Sequence, residues 1–284
     1  MAVVLDGLVY GLQLGLLAVG LTLLYGLGGV LNLAHGQLAV IAAMSTALLL
    51  DAGLPAGVAA VIGILGVGML GLILDRTLMV PVYRRRGGER VLLGLLLTLG
   101  VAFTVDGLLV WRYPFKALTL SIGGGGVDVL GVHMRSGSLL ASVIAVVAGV
   151  ALAGFLRSTR TGRAVRSVIQ DEAGAKLVGI DTAAMRSLVM ALSAMLAGIV
   201  AITQSMTVGV TATSGLGFTI LALIVTVVGG LGSVSGALLA GVLLGIVNAL
   251  SSFYIGAYLT SIILLATAAG TIVIRPTGLL GRAP

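Results

Sequence analysis

A stretch of 88 residues without formal charge, between Arg186 and Arg275, sets the strongest limit on how this chain can fold. A helix crosses the hydrocarbon core of a membrane with about 20 mostly apolar residues, and a charge at its centre costs roughly 2.5–3.5 kcal/mol to insert. The stretch therefore accommodates about four helical passes. Only 9% of all residues are charged, against about 25% in a soluble domain. The sequence predicts a polytopic membrane protein.

Further uncharged stretches of 44 and 23 residues separate Asp6, Asp51 and Asp75. Strands of a membrane barrel would alternate polar and apolar residues over about 10 positions, and the run 221–228 shows no such alternation. Helices satisfy their own backbone groups in lipid. We therefore predict an all-α bundle of about eight or nine membrane elements, with residues 1–284 as one domain. The predicted spans, of which the second and seventh are short, are 3–27, 37–50, 55–76, 91–111, 138–157, 187–207, 216–229, 237–254 and 258–274.

The basic residues are concentrated in three segments, 76–90, 157–186 and 275–282. Cytoplasmic loops of membrane proteins carry an excess of Lys and Arg. We therefore expect these segments to face the cytoplasm, which places the N-terminus outside and the C-terminus inside. The formal net charge of +7 fits this loop bias, and because hydrophobic spans interrupt it we predict no nucleic-acid partner.

Two glycine-rich segments, 26–36 and 229–236, each separate two apolar helices. Irregular backbone at membrane depth is tolerated only where protein or a water-filled cavity satisfies it, and transporters place such breaks at substrate sites. We expect both breaks to line a substrate path; an ordinary tight turn at the membrane surface is the open alternative. The predicted path residues are Asn32, His35, Gly36, Gln37, Gly229, Gly230, Gly232, Ser233 and Gly236.

At the first break, a hydrogen bond that merely holds the break is the alternative role for Asn32 and for His35. A bulky side chain at Gly36 is expected to block uptake while the protein still assembles.

Residues suited to enzymatic or metal chemistry are scarce. The chain has no cysteine and only two histidines, so a thiolate-ligated metal site is impossible. Neither Lys116 nor Lys176 lies in a phosphate-binding Gly-x-x-x-x-Gly-Lys-Ser/Thr motif. Asp106 is the one acid within a long span, and we expect it to reach water at the interface. The sequence predicts no enzyme activity, no metal and no cofactor in this chain, and an energy source outside it.

The longest polar loop, 157–186, contains an amphipathic pattern. Val165, Val168 and Ile169 are placed to share one face of a helix, with arginines elsewhere around it. Gly179 is well suited to the position just past a helix end. The pattern leaves two alternatives open: the loop rests on anionic lipid, or its apolar side chains enter a groove on a partner protein.

Five motifs, in order along nearly the whole chain, resemble those of the branched-chain amino-acid permeases of ABC importers (LivH type). They are Asn32-Leu33-Ala34-His35-Gly36; Thr98-x-Gly100; Gly162-Arg163-Ala164 followed by Arg166, Asp171, Ala175 and Gly179; Gly229-Gly230-x-Gly232-Ser233-x-x-Gly236; and Arg275-Pro276-x-Gly278-Leu279-x-Gly281-Arg282. One departure is Gln37, which stands where that family often has an acidic residue.

The resemblance implies a permease subunit of an ATP-driven importer that moves branched-chain or other hydrophobic amino acids across the cytoplasmic membrane. Its implied partners are a second, similar permease, two cytoplasmic ATPases that bind ATP and Mg²⁺, an extracytoplasmic solute-binding protein and membrane lipid. Urea or short-chain amides as substrates, or a stand-alone channel, are the alternatives. The residues it implies for coupling to an ATPase, within 157–186, are Gly162, Arg163, Ala164, Arg166, Asp171, Glu172, Ala175 and Gly179.

Overall fold

The computed structural model describes residues 2–120, 126–129, 132–275 and 277–281; Pro276 and Arg282 of the C-terminal motif lie outside them. Within this part of the chain, seven helices are long and apolar enough to cross a membrane, and two apolar helices are shorter, α2 (His35–Asp51) and α10 (Ser214–Gly229). The predicted all-α bundle, with its short second and seventh elements, is confirmed. The seven long helices are α1 (Ala2–Gly28), α3 (Ala56–Leu74), α5 (Gly87–Arg112), α6 (Ser136–Ser158), α9 (Thr182–Gln204), α11 (Val234–Tyr254) and α12 (Ala257–Ile274).

The third membrane helix extends beyond its predicted end at residue 76. After α3 a π-helical turn, Asp75–Met79, leads into the short helix α4 (Val80–Tyr83). Asp75 does not end the helix at water, because it is buried and accepts hydrogen bonds from two hydroxyl groups. Because hydrogen bonds within the protein stabilise the Asp75 carboxylate, its position in the sequence does not show where the helix leaves the membrane.

The helix α9 begins five residues before the predicted span 187–207. Its first turn is capped by Asp181, whose carboxylate accepts hydrogen bonds from the backbone N–H groups of Ala183 and Ala184, both at 3.0 Å. Such a cap stabilises a helix start by about 1 kcal/mol. Arg186 therefore lies inside the helix, where an ion pair with Glu172 accommodates its charge.

The helix α1 occupies the centre of the bundle and packs against α9, α10 and, most closely, α11. Glycines at intervals of four residues let the α1 and α11 backbones touch. A Cβ added at Gly11 would lie 2.8 Å from both the Gly241 carbonyl oxygen and the Val242 Cα. The glycines of this seam are Gly7, Gly11, Gly15, Gly241 and Gly245.

The two ends of the bundle are structurally distinct. At the end near the start of α1, the strand β1 (Ala117–Leu118) pairs with β4 (Val210–Thr211), and β2 (Val127–Val129) pairs antiparallel with β3 (Val132–Met134). At the other end lie the loop helices α7 (Arg160–Gln170) and α8 (Glu172–Leu177). We call these the strand end and the loop end.

Candidate translocation path and coupling loop

The first break returns the chain into the middle of the bundle. His35, the first residue of α2, is fully buried, and its Nε2 donates a hydrogen bond of 3.0 Å to the carbonyl oxygen of Leu17, halfway along α1. In the neutral ring this leaves Nδ1 to accept from the Ser193 hydroxyl, 3.3 Å away. The break therefore lies at depth, and a turn at the membrane surface does not describe it.

Protein groups satisfy the backbone of this break. The buried Asn32 side chain accepts from the Ala34 N–H at 2.9 Å. The Leu33 N–H donates to the Thr98 hydroxyl oxygen, and the Gly36 N–H donates to that of Thr219, both at 3.0 Å. Since unsatisfied backbone groups are costly in lipid, these bonds hold the break in place. The structure thus gives Asn32 and His35 a holding role; their contact with substrate stays a prediction.

Gly36 lies where α2 packs tightly against α10. A Cβ placed there would overlap the carbonyl oxygen of Gly215 and lie 2.6 Å from the Thr219 hydroxyl oxygen. We expected a bulky side chain at Gly36 to leave the packing undisturbed, and this geometry contradicts that part of the expectation. The predicted block of uptake stays a prediction. Any side chain at this position must first separate two packed helices.

Gln37 is buried beside the same helix contact. Its Nε2 donates a 3.2 Å hydrogen bond to the Asp106 carboxylate, while its Oε1 has no hydrogen-bond partner among the described residues. Asp106, expected to reach water at the interface, is half-buried and bonded to Gln37. An amide oxygen left unpaired in the interior is a group that a mobile ligand or water could satisfy.

The second break is a tight turn covered by the C-terminal segment. Ser233 caps α11, since its hydroxyl oxygen accepts from the Gly236 N–H at 3.1 Å. The Leu279 and Leu280 N–H groups donate to the carbonyl oxygens of Val228 and Gly229, at 2.9 and 3.1 Å. These contacts favour the tight-turn alternative at this break. The positive φ angles of Gly230 (103°) and Gly232 (82°) explain its glycines.

The structure also reveals a cavity that the sequence reasoning missed. It lies between α1, α9 and α10 at the strand end, has a volume of about 240 Å³, and is lined by Tyr10, Gln13, Gln204 and Ser214 together with mostly apolar residues. Gln13 is 2% exposed. An uncharged amide in the middle of an apolar span is a signal that could have singled out Gln13, though not the cavity around it, from sequence.

The apolar face of α7 packs on the chain's own helices. Val165 and Val168 are buried, and Ile169 lies against Gly26 of α1. Both alternatives for this loop, lipid and partner protein, required an outward apolar face, and Val165 and Val168 do not provide one. Which of the two applies to the rest of the loop stays a prediction. The exposed apolar residues of the loop are instead Leu177 and Val178, which follow one another at the end of α8 and are 89% and 76% exposed.

Several of the predicted coupling residues shape this loop. Asp171 caps α8 by accepting from the Ala173 N–H at 2.9 Å. Gly162 has no room for a Cβ, which would overlap the Phe155 carbonyl oxygen, and Ala175 is buried. Gly179 has a φ of +81°, which favours glycine. The loop is therefore a folded element of fixed shape.

The other predicted coupling residues differ in their surroundings. Arg163 is exposed and donates to the Ser158 carbonyl oxygen at 3.0 Å. Ala164 is half-buried and Arg166 is exposed. Arg163 and Arg166 therefore place two positive charges on the exposed side of α7.

Glu172 connects the loop to the membrane helices. Its Oε1 accepts from the Lys176 ammonium at 2.7 Å and from the Arg186 guanidinium at 2.8 Å. Partial burial acts to raise the pKa of the Glu172 carboxyl, but the hydrogen bonds from the two cations outweigh burial and lower this pKa below its usual value. Glu172 therefore stays ionised and ties α8 to α9.

A buried network continues from Arg186 toward α3. The Arg186 guanidinium lies 4.5 Å from the centre of the Tyr83 ring, and the Tyr83 hydroxyl donates to the Asp75 carboxylate at 2.8 Å. The other Asp75 oxygen accepts from the Ser187 hydroxyl at 2.6 Å. Sequence reasoning missed this network because its members are far apart in the chain.

Comparison with known proteins identifies the group to which this architecture belongs. The family model for the permease component of the branched-chain amino acid transport system matches residues 3–271. The chain belongs to this family. High-affinity branched-chain amino acid transport system permease protein LivH of Escherichia coli (strain K12) is 27% identical over 290 residues, covering 98% of this chain and 94% of the relative. The corresponding permease protein BraD of Pseudomonas aeruginosa is 29% identical over 294 residues, with the same coverage.

A solved structure shares the fold of this permease. PsaBC from Streptococcus pneumoniae in complex with Fab aligns with a TM-score of 0.52 at 14% identity, covering 95% of this chain and 89% of that one. The family resemblance seen in the sequence motifs is confirmed. The chain is a multi-pass inner-membrane permease subunit of an ABC transporter, works with other transporter components and is not itself catalytic.

Proposed function

We propose that this permease imports branched-chain aliphatic amino acids, using ATP that is bound with Mg²⁺ and hydrolysed in two separate cytoplasmic subunits. A zwitterion cannot cross hydrocarbon unaided, because the loss of its hydration is too costly. The names of the relatives support the substrate class, and the absence of a phosphate-binding motif in this sequence supports hydrolysis elsewhere.

The single observation that carries the proposal is the shape of the coupling loop. Its α7 is fixed to the bundle through buried valines, whereas Leu177 and Val178 project at the end of α8. Two adjacent, highly exposed apolar side chains, in a loop that also carries exposed arginines, are suited to a groove on a partner protein. We infer that an ATPase receives this tip.

The proposed orientation follows from the loop end. Docking of a cytoplasmic ATPase on α8 places the loop end inside and the strand end outside, with the N-terminus outside and the C-terminus inside. The excess of basic residues in 76–90 and 157–186 supports this orientation. An extracytoplasmic solute-binding protein then delivers substrate to the strand end, and a second, similar permease completes the membrane part.

The contacts described above supply a route for the motion. When ATP draws the two ATPases together, they displace α8, and the Glu172–Arg186 pair transmits the displacement to α9. The same helix carries Met190 and Ser193, which contact Asn32 and His35 at the first break. The break and the loop are thus mechanically joined through α9.

The proposal is tested on the purified complex with the double substitution Leu177→Ser and Val178→Ser. Both side chains are exposed, so folding is expected to be unaffected. Removal of two anchor residues from an interface costs about 2 kcal/mol or more, roughly 30-fold in affinity. We expect the double variant to lose the ATPase activity that the solute-binding protein stimulates, while the permease still inserts into the membrane. Leu231→Ser, at another exposed leucine, serves as the control.

Normal stimulation in the double variant would overturn the assignment of α8. Full-rate movement of solute by the purified chain alone, without ATPases, would favour a facilitator. Uptake of urea but not leucine by the complex would overturn the substrate class.

A further inference from the structure

We propose that the cavity between α1, α9 and α10, with a second cavity that adjoins it, is the outer binding site for a zwitterionic aliphatic amino acid in transit. This inference rests on the proposed function and adds the residues that contact the substrate. It is carried by the chemistry of the cavity walls.

The inner cavity presents polar groups that lack partners. Tyr10, Gln13 and Gln204 line it, and none of their side chains makes a hydrogen bond to a described residue. Gln13 is the most significant, because its side chain is almost completely buried. Buried amides are normally hydrogen-bonded, so a partner from outside the chain is expected in this space.

Apart from Ser214, whose hydroxyl oxygen accepts a hydrogen bond from the Thr211 N–H, the rest of the inner wall is apolar. It combines aliphatic side chains with one aromatic ring, a lining suited to a branched hydrocarbon side chain. A very small polar solute such as urea would gain nothing from this surface. The apolar lining residues include Leu14, Leu17, Val200, Val208, Phe218 and Leu221.

The outer cavity presents opposite charges. Its volume is about 420 Å³, it shares Tyr10 and Gln13 with the inner cavity, and its lining includes Asp6 and Arg135. No ion pair joins either charge to another described residue. A carboxylate and a guanidinium in one vestibule complement the ammonium and carboxylate groups of a zwitterion.

The inner cavity lies next to the first break, although no residue of the break lines it. Leu17 lines the cavity, and its carbonyl oxygen accepts the hydrogen bond from His35. Phe218 lines the same wall, next to Thr219, which binds the Gly36 N–H. A displacement of α9 that disturbs the break would therefore open the cavity toward the loop end.

The absence of cysteine from the chain permits a direct test. In the assembled complex, Gln13→Cys is modified with a membrane-impermeant thiol reagent added from the outer side, and labelling of this chain is followed by mass. L-leucine at ten times its dissociation constant should slow the reaction about tenfold, because only the unoccupied sites then react. Ala52→Cys, in the exposed turn after α2, should be labelled at the same rate with and without L-leucine.

Two analogues test the charge complementarity. 4-Methylpentanoate lacks the amino group of leucine and 3-methylbutylamine lacks the carboxylate, so each should protect Gln13→Cys far less than L-leucine. Equal protection by all three would overturn the assignment of a zwitterion. Equal labelling rates with and without L-leucine would overturn the site.

An uptake measurement separates this inference from the proposed function. When the leucine-loaded solute-binding protein is supplied at a saturating concentration, Gln13→Leu should lower leucine uptake at least tenfold. The stimulation of ATPase activity by that protein should persist. Thr104→Val, which removes a hydroxyl from the exposed face of α5, should leave uptake unchanged. If the wild-type complex takes up leucine and Gln13→Leu does so equally well, only the cavity assignment fails. If the wild-type complex takes up no amino acid, the proposed function fails with it.

Discussion

Substitution of Gly36 by alanine is expected to destabilise the permease, although only a methyl group is added. The new Cβ would overlap the Gly215 carbonyl oxygen and approach the Thr219 N–H to 2.7 Å, so α2 and α10 must move apart. Overpacking of this kind costs about 1–3 kcal/mol. The separation also breaks the hydrogen bond from the Gly36 N–H to the Thr219 hydroxyl, which contributes about 1 kcal/mol more.

The total is about 2–4 kcal/mol, or roughly a 30- to 900-fold change in the unfolding equilibrium. The assay is equilibrium unfolding of the purified permease in detergent micelles, followed by helical circular dichroism. Gly149→Ala is the matched control, since a Cβ at Gly149 meets nothing within 4 Å. This control should be neutral or slightly stabilising, because alanine favours the helix by up to about 1 kcal/mol.

A Gly36→Ala protein as stable as its Gly149→Ala counterpart would refute the packing argument. If that stable protein also failed in uptake, Gly36 would belong to the substrate path as the sequence first indicated.

Three further predictions concern the hydrogen-bond networks. Thr98→Val removes the acceptor of the Leu33 N–H and should lower unfolding stability by about 1–3 kcal/mol in the same micelle assay. Asp75→Asn keeps the volume but loses the buried carboxylate, so its midpoint of thermal unfolding should fall while an exposed Arg85→Gln protein keeps the wild-type value. Because the pKa of Glu172 is lowered, the ion pairs of this residue are fully present above the ordinary glutamate pKa of about 4.3 and are lost as the pH falls through the lowered value. Protease cleavage of the α7–α8 loop should therefore be constant between pH 6 and 8 and rise only in acid, and the Glu172→Gln protein should lack that acid-dependent rise.

The membrane elements could be predicted from the sequence because their cause is local. The absence of charge over a helical length decides whether a segment can enter lipid, and the nine predicted spans correspond to seven long and two short apolar helices in the part of the chain that the structure describes. The errors occurred where tertiary contacts neutralise a charge. Asp75 and Arg186 each seemed to mark a membrane surface, yet each lies in a helix with a partner from another element.

The candidate site was less accessible to sequence reasoning. The glycine pattern predicted the first break, but not that His35 would bond to Leu17 or that Gly36 would contact α10. The amphipathic pattern of α7 predicted correctly which residues form its apolar face. It did not predict that the chain's own membrane helices, rather than lipid or a partner, bury that face. The cavity around Gln13 depends on three helices that are distant in sequence, and no local pattern specifies their spacing.

The glycine seam between α1 and α11 limits how the permease can change shape during its cycle. With backbone in contact with backbone at Gly7, Gly11 and Gly15, few side chains lie between the two helices whose rotamers could change to permit sliding. We therefore expect α1 and α11, which come from opposite ends of the sequence, to move together as one rigid unit. The alternation between outward and inward openings then requires movement of the helices that pack against this pair, above all α9.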